Sequence, residues 1–245
     1  MNKNLSLHQR IFNAAATQEA EFVHATHTYL HARANATEEW SQIWSQCDDV
    51  SWAHAFGRMR GFKNVWNGSV TCYDVQATQR FQGAYEAMPE IGGFDIRPLM
   101  ELSLHTLATD IVEVADDGET SRAFFLTPGL ISSAVGGNGK RRCGGLWERY
   151  GADFIKENGR FKIYHIVCAN DQNYAAGTQY DKPTYIDPKD DMMAVEFGTP
   201  TIPMNVHGNT YNWADNYPPM PEPYETLTPE LSYGPEGHPM LKGGC

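Results

Sequence analysis

One stretch constrains the fold more than any other. In "GLWERYGADFIKENGRFKIYHI", residues 145–166, the pair Asn158-Gly159 stands between two long runs rich in aromatic and β-branched residues. Asn-Gly tolerates the positive φ angles of a two-residue turn, so the two runs should fold back on each other as an antiparallel hairpin. The runs "LSLHTLATDIVEV" and "ETSRAFFLTPGLIS" have the same character. They are separated by Asp116-Asp117-Gly118, and the second is joined to the hairpin through "GGNGKRRCGG". The centre of the chain is therefore expected to be a long-stranded antiparallel meander.

Before it the period changes. From Ser6 to about Arg33 the sequence is Ala-rich, carries recurrent Phe, Leu and Tyr, and has neither Gly nor Pro, which predicts one long helix. Thr37 followed by Glu38 and Glu39 predicts the cap and acidic first turn of a second helix, with Trp40, Ile43 and Trp44 as its apolar stripe. "DDVSWAHAFG" reads as a short strand ending at Gly57, a Gly- and Asn-punctuated loop follows, and residues 72–87 read as a third helix. Helices first and a meander after them predict an α+β fold, with the helices on one face of a curved sheet.

After Asp171 the composition shifts, with 11 of the 14 prolines falling there. That stretch keeps Tyr174, Tyr180, Tyr185, Phe197, Tyr211, Trp213, Tyr217, Tyr224 and Tyr233, too aromatic for a solvated tail. The expected organisation is an α+β domain over 1–170 and an extended Pro/Tyr-rich arm over 171–245, pinned to its own sheet or to a neighbouring subunit of a homo-oligomer, a dimer or trimer.

A net charge of −11 repels phosphate backbones and anionic lipid, which argues against nucleic acid and membrane surfaces as partners and for a small neutral molecule. No apolar run has the length of a signal peptide or a membrane span, so a cytoplasmic protein is expected. The cysteines at 47, 72, 143, 168 and 245 are scattered without a C-x-x-C pair, and are expected to be free thiols.

Two motifs invite chemistry and do not sustain it. "HATHTYLH", residues 24–31, places His27 and His31 at the spacing zinc helices use, but lacks the glutamate of H-E-x-x-H, and His24 is two turns from His31. No metal is expected. "GGNGK" lacks the Ser or Thr after Lys140 that a phosphate loop needs, and it sits between strands. No G-x-S-x-G elbow is present either.

The hairpin "GLWERYGADFIKENGRFKIYHI" resembles that of the SnoaL-like branch of the nuclear transport factor 2-like superfamily. "LSLHTLATDIVEVADDGETSRAFF" is similar to the preceding hairpin of that family, with a His early in the strand and a D-G turn. The resemblance spans roughly residues 8–170 and implies a cone-shaped pocket between a curved antiparallel sheet and three N-terminal helices, with chemistry done mostly without cofactors. With "GRMRGF" and "YPPMPEPYETLTPELSYGPEGHP" added, the chain is similar to the sphingomonad diarylpropane-diol lyases, which release formaldehyde from lignin-derived dimers. One departure stands out. Dehydratases of the family carry an Asp five residues after a Tyr near the end of the first helix, where this chain has Ala34 after Tyr29.

The resemblance puts His105 at the inward-facing His of the first long strand, where a neutral imidazole can take and give a proton. It sets His54 and Arg58 near the pocket rim, where a guanidinium can hold a phenolate or orient a hydroxyl. Tyr29, His31, Trp52, Tyr150 and His165 are candidate substrate contacts. Tyr150 shares strand parity with Leu146 and Phe154, and His165 with Phe161, Ile163 and Val167. Each has a plain alternative as a core or surface residue. The expected function is a cofactor-independent lyase on a small aromatic diol, with a dehydratase or isomerase of a polyketide- or steroid-like substrate and a non-catalytic binding module as alternatives.

Overall fold

The computed structural model describes residues 5–32, 36–54, 57–70, 101–134, 141–175 and 218–234. Two helices open the chain, α1 (Leu7–Ala32) and α2 (Ala36–Ile43). A short hairpin of β1 (Ser51–His54) and β2 (Gly57–Arg60) leads into α3 (Phe62–Val70). The remaining strands are β3 (Glu101–His105), β4 (Ala108–Val114), β5 (Thr120–Ala134), β6 (Arg141–Glu157) and β7 (Arg160–Ala175). They form one seven-stranded sheet in the order β2-β1-β7-β6-β5-β3, with β4 also paired to β5.

The central meander forms as the turn chemistry requires. Asn158 and Gly159 both take positive φ, 53° and 76°, and close the β6–β7 hairpin; Gly118 does the same, at 72°, between β4 and β5. The long first run is two strands, however. β3 and β4 both pair with β5, and the chain breaks between them at Thr106 and Leu107, where Thr106 donates its backbone N–H to the Pro128 carbonyl. A strand partner containing Pro128 lacks one ladder donor, which marks where the pairing changes.

Three further features differ from expectation. The segment read as a loop after Gly57 holds β2 and α3. Gly61, at φ 86°, makes the turn into α3, and Val65 and the partly buried Phe62 and Trp66 give that helix an apolar face. The helix expected over 72–87 lies outside the described residues. The sheet is also not wholly antiparallel, because β1 runs parallel to β7 with Ser51 opposite His165 and Ala53 opposite Val167. No tight turn joins those two strands, so nothing forces the antiparallel sense on them. Finally, β7 continues to Ala175, so the domain boundary expected at 170/171 falls inside a strand.

The core lies between the helices and one face of the sheet, here termed inner. Helix α1 turns Ala16, Ala20, Val23, His24, His27 and Leu30 inward at helical spacing. Trp40 and Trp44 stack at 4.3 Å, and Phe125, Ala152, Phe154, Phe161, Ile163 and Ile166 complete the core from the sheet. Full burial of each large side chain contributes ~2–3 kcal/mol.

The outer face of the sheet is covered in part by residues 218–234. Gly151 leaves room for Pro218 and Tyr233, each of which would stand 2.8 Å from a Cβ at that position. The rest of the expected arm, 176–217 and 235–245, lies outside the described residues. None of the described helices is long and apolar enough to cross a membrane.

Candidate functional site

Strand alternation decides which side chains of β6 enter the core. Glu148, Tyr150, Ala152 and Phe154 point inward, and Glu148 is the only carboxylate in that row. At the end of β3, His105 Nδ1 lies 3.1 Å from Glu148 Oε2 and 3.5 Å from the Tyr150 hydroxyl. All three residues are buried. An ionised carboxylate only accepts, so the Nδ1 hydrogen of His105 donates to Glu148, and a neutral His105 then keeps Nε2 as its basic nitrogen.

Helix α1 brings two more imidazoles to the same region. His27 Nδ1 is 2.6 Å from Glu39 Oε1, and the Trp44 indole N–H donates to the same oxygen at 2.8 Å. His24 is fully buried. Its ring lies 4.1 Å from that of Phe125, 5.5 Å from His27 and 5.8 Å from Tyr150, centroid to centroid. Burial, and secondarily the neighbouring His27 and His105, hold its pKa well below the usual imidazole range, so it is neutral. Among the described residues neither ring nitrogen of His24 has a hydrogen-bond partner. An unmet buried donor or acceptor costs ~1–3 kcal/mol, so this one side chain opposes folding by more than a typical buried polar group.

Arg58 and His165 are not part of this cluster. β7 carries a bulge opposite Asp153 and Phe154, in which Tyr164 is the extra residue: Asp153 pairs with His165, and Phe154 with Ile163. The bulge inverts the parity beyond it, so Phe161 and Ile163 face the core while His165 and Val167 face outward. There Arg58 Nη1 donates to Ser51 Oγ at 2.9 Å and to the Tyr233 carbonyl at 3.0 Å. Ser51 Oγ is 2.7 Å from His165 Nδ1. Ser51 Oγ has two acceptor sites, so beside the bond from Arg58 it can pair with His165 Nδ1 in either ring tautomer. Burial, then the positive Arg58, push the His165 pKa down to about 3. Beside it, Asp153 Oδ2 accepts from Ser232 Oγ and the Tyr233 N–H, both at 2.7 Å, and Arg122 lies 3.6 Å from Oδ1. Burial outweighs these partners and raises the Asp153 pKa to about 6. This outer network fastens residues 218–234 to the sheet.

Of the remaining candidates, Trp52 is buried in the core, opposite Met59 of β2 and Ile166 of β7. Tyr29 is 58% exposed on α1, and His24 is buried. The side chains of His31 and His54 lie outside the described residues. Among the described residues no three His, Cys, Asp or Glu side chains are placed to hold a metal ion. Sequence reasoning weighed His24 and His27 only as metal ligands and Glu39 only as part of an acidic first turn, and it passed over Glu148. The available signal was position: Glu148 occupies the apolar parity of β6, and Glu39 lies one turn before Ile43 on the buried face of α2.

No family model matches the sequence, and no curated protein matches it. Solved structures share its outline. A candidate scytalone dehydratase from Novosphingobium aromaticivorans matches at 10% identity and TM-score 0.45, over 73% of this chain and 99% of that one. A hexachlorocyclohexane dehydrochlorinase, LinA type 2, matches at 14% identity and TM-score 0.45, over 73% and 99%. A nuclear transport factor 2-like superfamily protein from Salmonella enterica matches at 16% identity and TM-score 0.43, over 68% and 99%. Likeness at this level carries no argument about chemistry.

Proposed function

We propose that the inner cluster is the acid/base site of a cofactor-independent lyase of the SnoaL-like, nuclear transport factor 2-like kind, acting on a small neutral aromatic diol. The observation that carries this reading is the buried His105–Glu148 pair with the Tyr150 hydroxyl beside it, set against an aromatic wall that includes Phe125 and Phe154. A carboxylate on Nδ1 fixes the imidazole tautomer and leaves Nε2 as the atom that can pass a proton both ways.

The proposed substrate is a diarylpropane diol with a free para-phenol. Protonated His105 gives its proton to the benzylic hydroxyl, which leaves as water while the phenol loses its proton to solvent, and a quinone methide forms. Neutral His105 then takes the proton of the terminal hydroxyl. The carbon–carbon bond breaks, formaldehyde departs, and the electron pair restores the phenolate, which is reprotonated from solvent. The sum is diol to stilbene, formaldehyde and water, with His105 returned to its starting state and no oxidant or reductant required. The Tyr150 hydroxyl is a donor for whichever oxygen carries developing charge.

The test is to incubate the protein with a panel of such diols and assay formaldehyde and stilbene together. Equal amounts of both are expected. His105→Ala and Glu148→Gln should each lower the rate ~100-fold or more, the usual scale for a positioned proton carrier. Products that have lost only water would assign the site to a dehydratase instead, and diols recovered unchanged would reduce the chain to a binding module.

A further inference from the structure

His24 is the buried titratable group that the scheme above does not use. A neutral imidazole always carries one N–H donor and one bare acceptor nitrogen, on opposite edges of the ring. Among the described residues neither is met, although the ring is wholly enclosed and lies within about two bond lengths of contact distance from Tyr150 and His27. Its other neighbours are His105 and, on the sheet side, Phe125 and Phe154. A side chain used only to fill this space would be Phe or Leu, which leave nothing unpaired. The polar edges are therefore explained by something that arrives after folding.

We propose that His24 is a substrate-binding residue that grips the hydroxyl groups of a neutral alcohol, donating to one oxygen and accepting from another hydroxyl. The ligand class follows from the ring itself. A carboxylate or phosphate offers no hydrogen to the bare nitrogen, and an ammonium offers no acceptor to the N–H. A hydroxyl can serve either edge, so an alcohol that carries a further oxygen farther along the molecule can meet both. Burial keeps His24 neutral, so the two histidines divide the work: one holds, the other transfers. This inference rests on the lyase reading for its choice of diol.

The probe is a diarylpropane diol with both phenols methylated, which cannot form a quinone methide and so binds without turnover. In ring-15N-labelled protein, the His24 nitrogen resonances should move as the diol is added. His24→Phe keeps the ring shape and removes both nitrogens. It should melt at a higher temperature than the natural protein, bind the methylated diol at least tenfold more weakly, and release formaldehyde from the phenolic diol ~100-fold more slowly. Resonances that stay put at saturation overturn the proposal, as do retained affinity and rate in the Phe variant. A lower melting temperature in that variant overturns it too, since it would mean the nitrogens are already paired in the free protein. Natural protein that binds the methylated diol without moving His24 sinks this inference alone; natural protein that does not bind it sinks the lyase reading as well.

Discussion

His165 and Asp153 sit side by side on the outer face of the sheet and respond to acid in opposite directions. In the unfolded chain His165 titrates near its ordinary 6.5, whereas in the fold it does not bind a proton until about 3. Between those limits the unfolded state holds the extra proton, so stability is full above pH 6.5 and is lost as pH falls. Asp153 is raised from 3.8 to about 6, so between those limits the folded state holds the extra proton and stability grows as pH falls. From pH 7 to pH 5 the His165 contribution falls by about 2 kcal/mol and that of Asp153 rises by about 1.5 kcal/mol. In the natural protein the two nearly cancel. His165→Asn keeps an acceptor for the Ser51 hydroxyl and removes the titration; Asp153→Asn keeps an oxygen for Ser232 and the Tyr233 N–H. Urea unfolding followed by tryptophan fluorescence at pH 7, 6 and 5 should show His165→Asn losing about 2 kcal/mol less than the natural protein across that range, and Asp153→Asn about 1.5 kcal/mol more. Contributions from other groups, such as buried His24, are common to all three proteins and drop out of the differences. Stability profiles that run parallel within about 0.5 kcal/mol would refute the argument, because neither group would then be sealed by residues 218–234.

Two glycine substitutions separate crowding from backbone strain. Gly151→Ala places a Cβ 2.8 Å from both Pro218 and Tyr233 and should cost about 1–3 kcal/mol in thermal or urea unfolding, with increased proteolysis within 218–234. Gly159→Ala meets nothing within 4 Å, but must adopt φ near 76°, and should cost only about 1 kcal/mol without that proteolysis. Glu39→Ala leaves the Trp44 indole without its buried acceptor and removes one partner of His27, so a loss of about 2–4 kcal/mol is expected by urea unfolding.

The sequence announced the meander because its turns are local: two residues, Asn158 and Gly159, decide a hairpin whose strands are adjacent in the chain. It announced α1 and α2 for the same reason, through their period, although Thr37, read as the cap of α2, lies inside that helix. The sidedness of the site was harder to read. The resemblance placed His105 inward and strand parity placed Tyr150 with Leu146 and Phe154, but the single extra residue at Tyr164 turned His165 to the other face. Arg58 followed it, because its face depends on the register of β1 against β7, and a parallel pairing with no connecting turn leaves no mark in the sequence. Buried carboxylates were missed through composition: a Glu beside Trp or Arg looks solvated until its position in the pleat is counted.

The parallel pairing of β1 with β7 also sets a timetable for synthesis. Ser51 and the His165 it bonds are 114 residues apart. At 5–20 residues per second, a ribosome needs roughly 6 to 23 seconds between them. Throughout that interval β1, Trp52 and the inner face of α1 exist without the strands they cover. β5, β6 and β7 can zip together as soon as they emerge, because each is joined to the next through the chain itself. The N-terminal third of the chain is thus made first and finished last. A nascent chain stalled before residue 165 should be the form most dependent on chaperones, and a version permuted to begin at residue 101 would reverse the order.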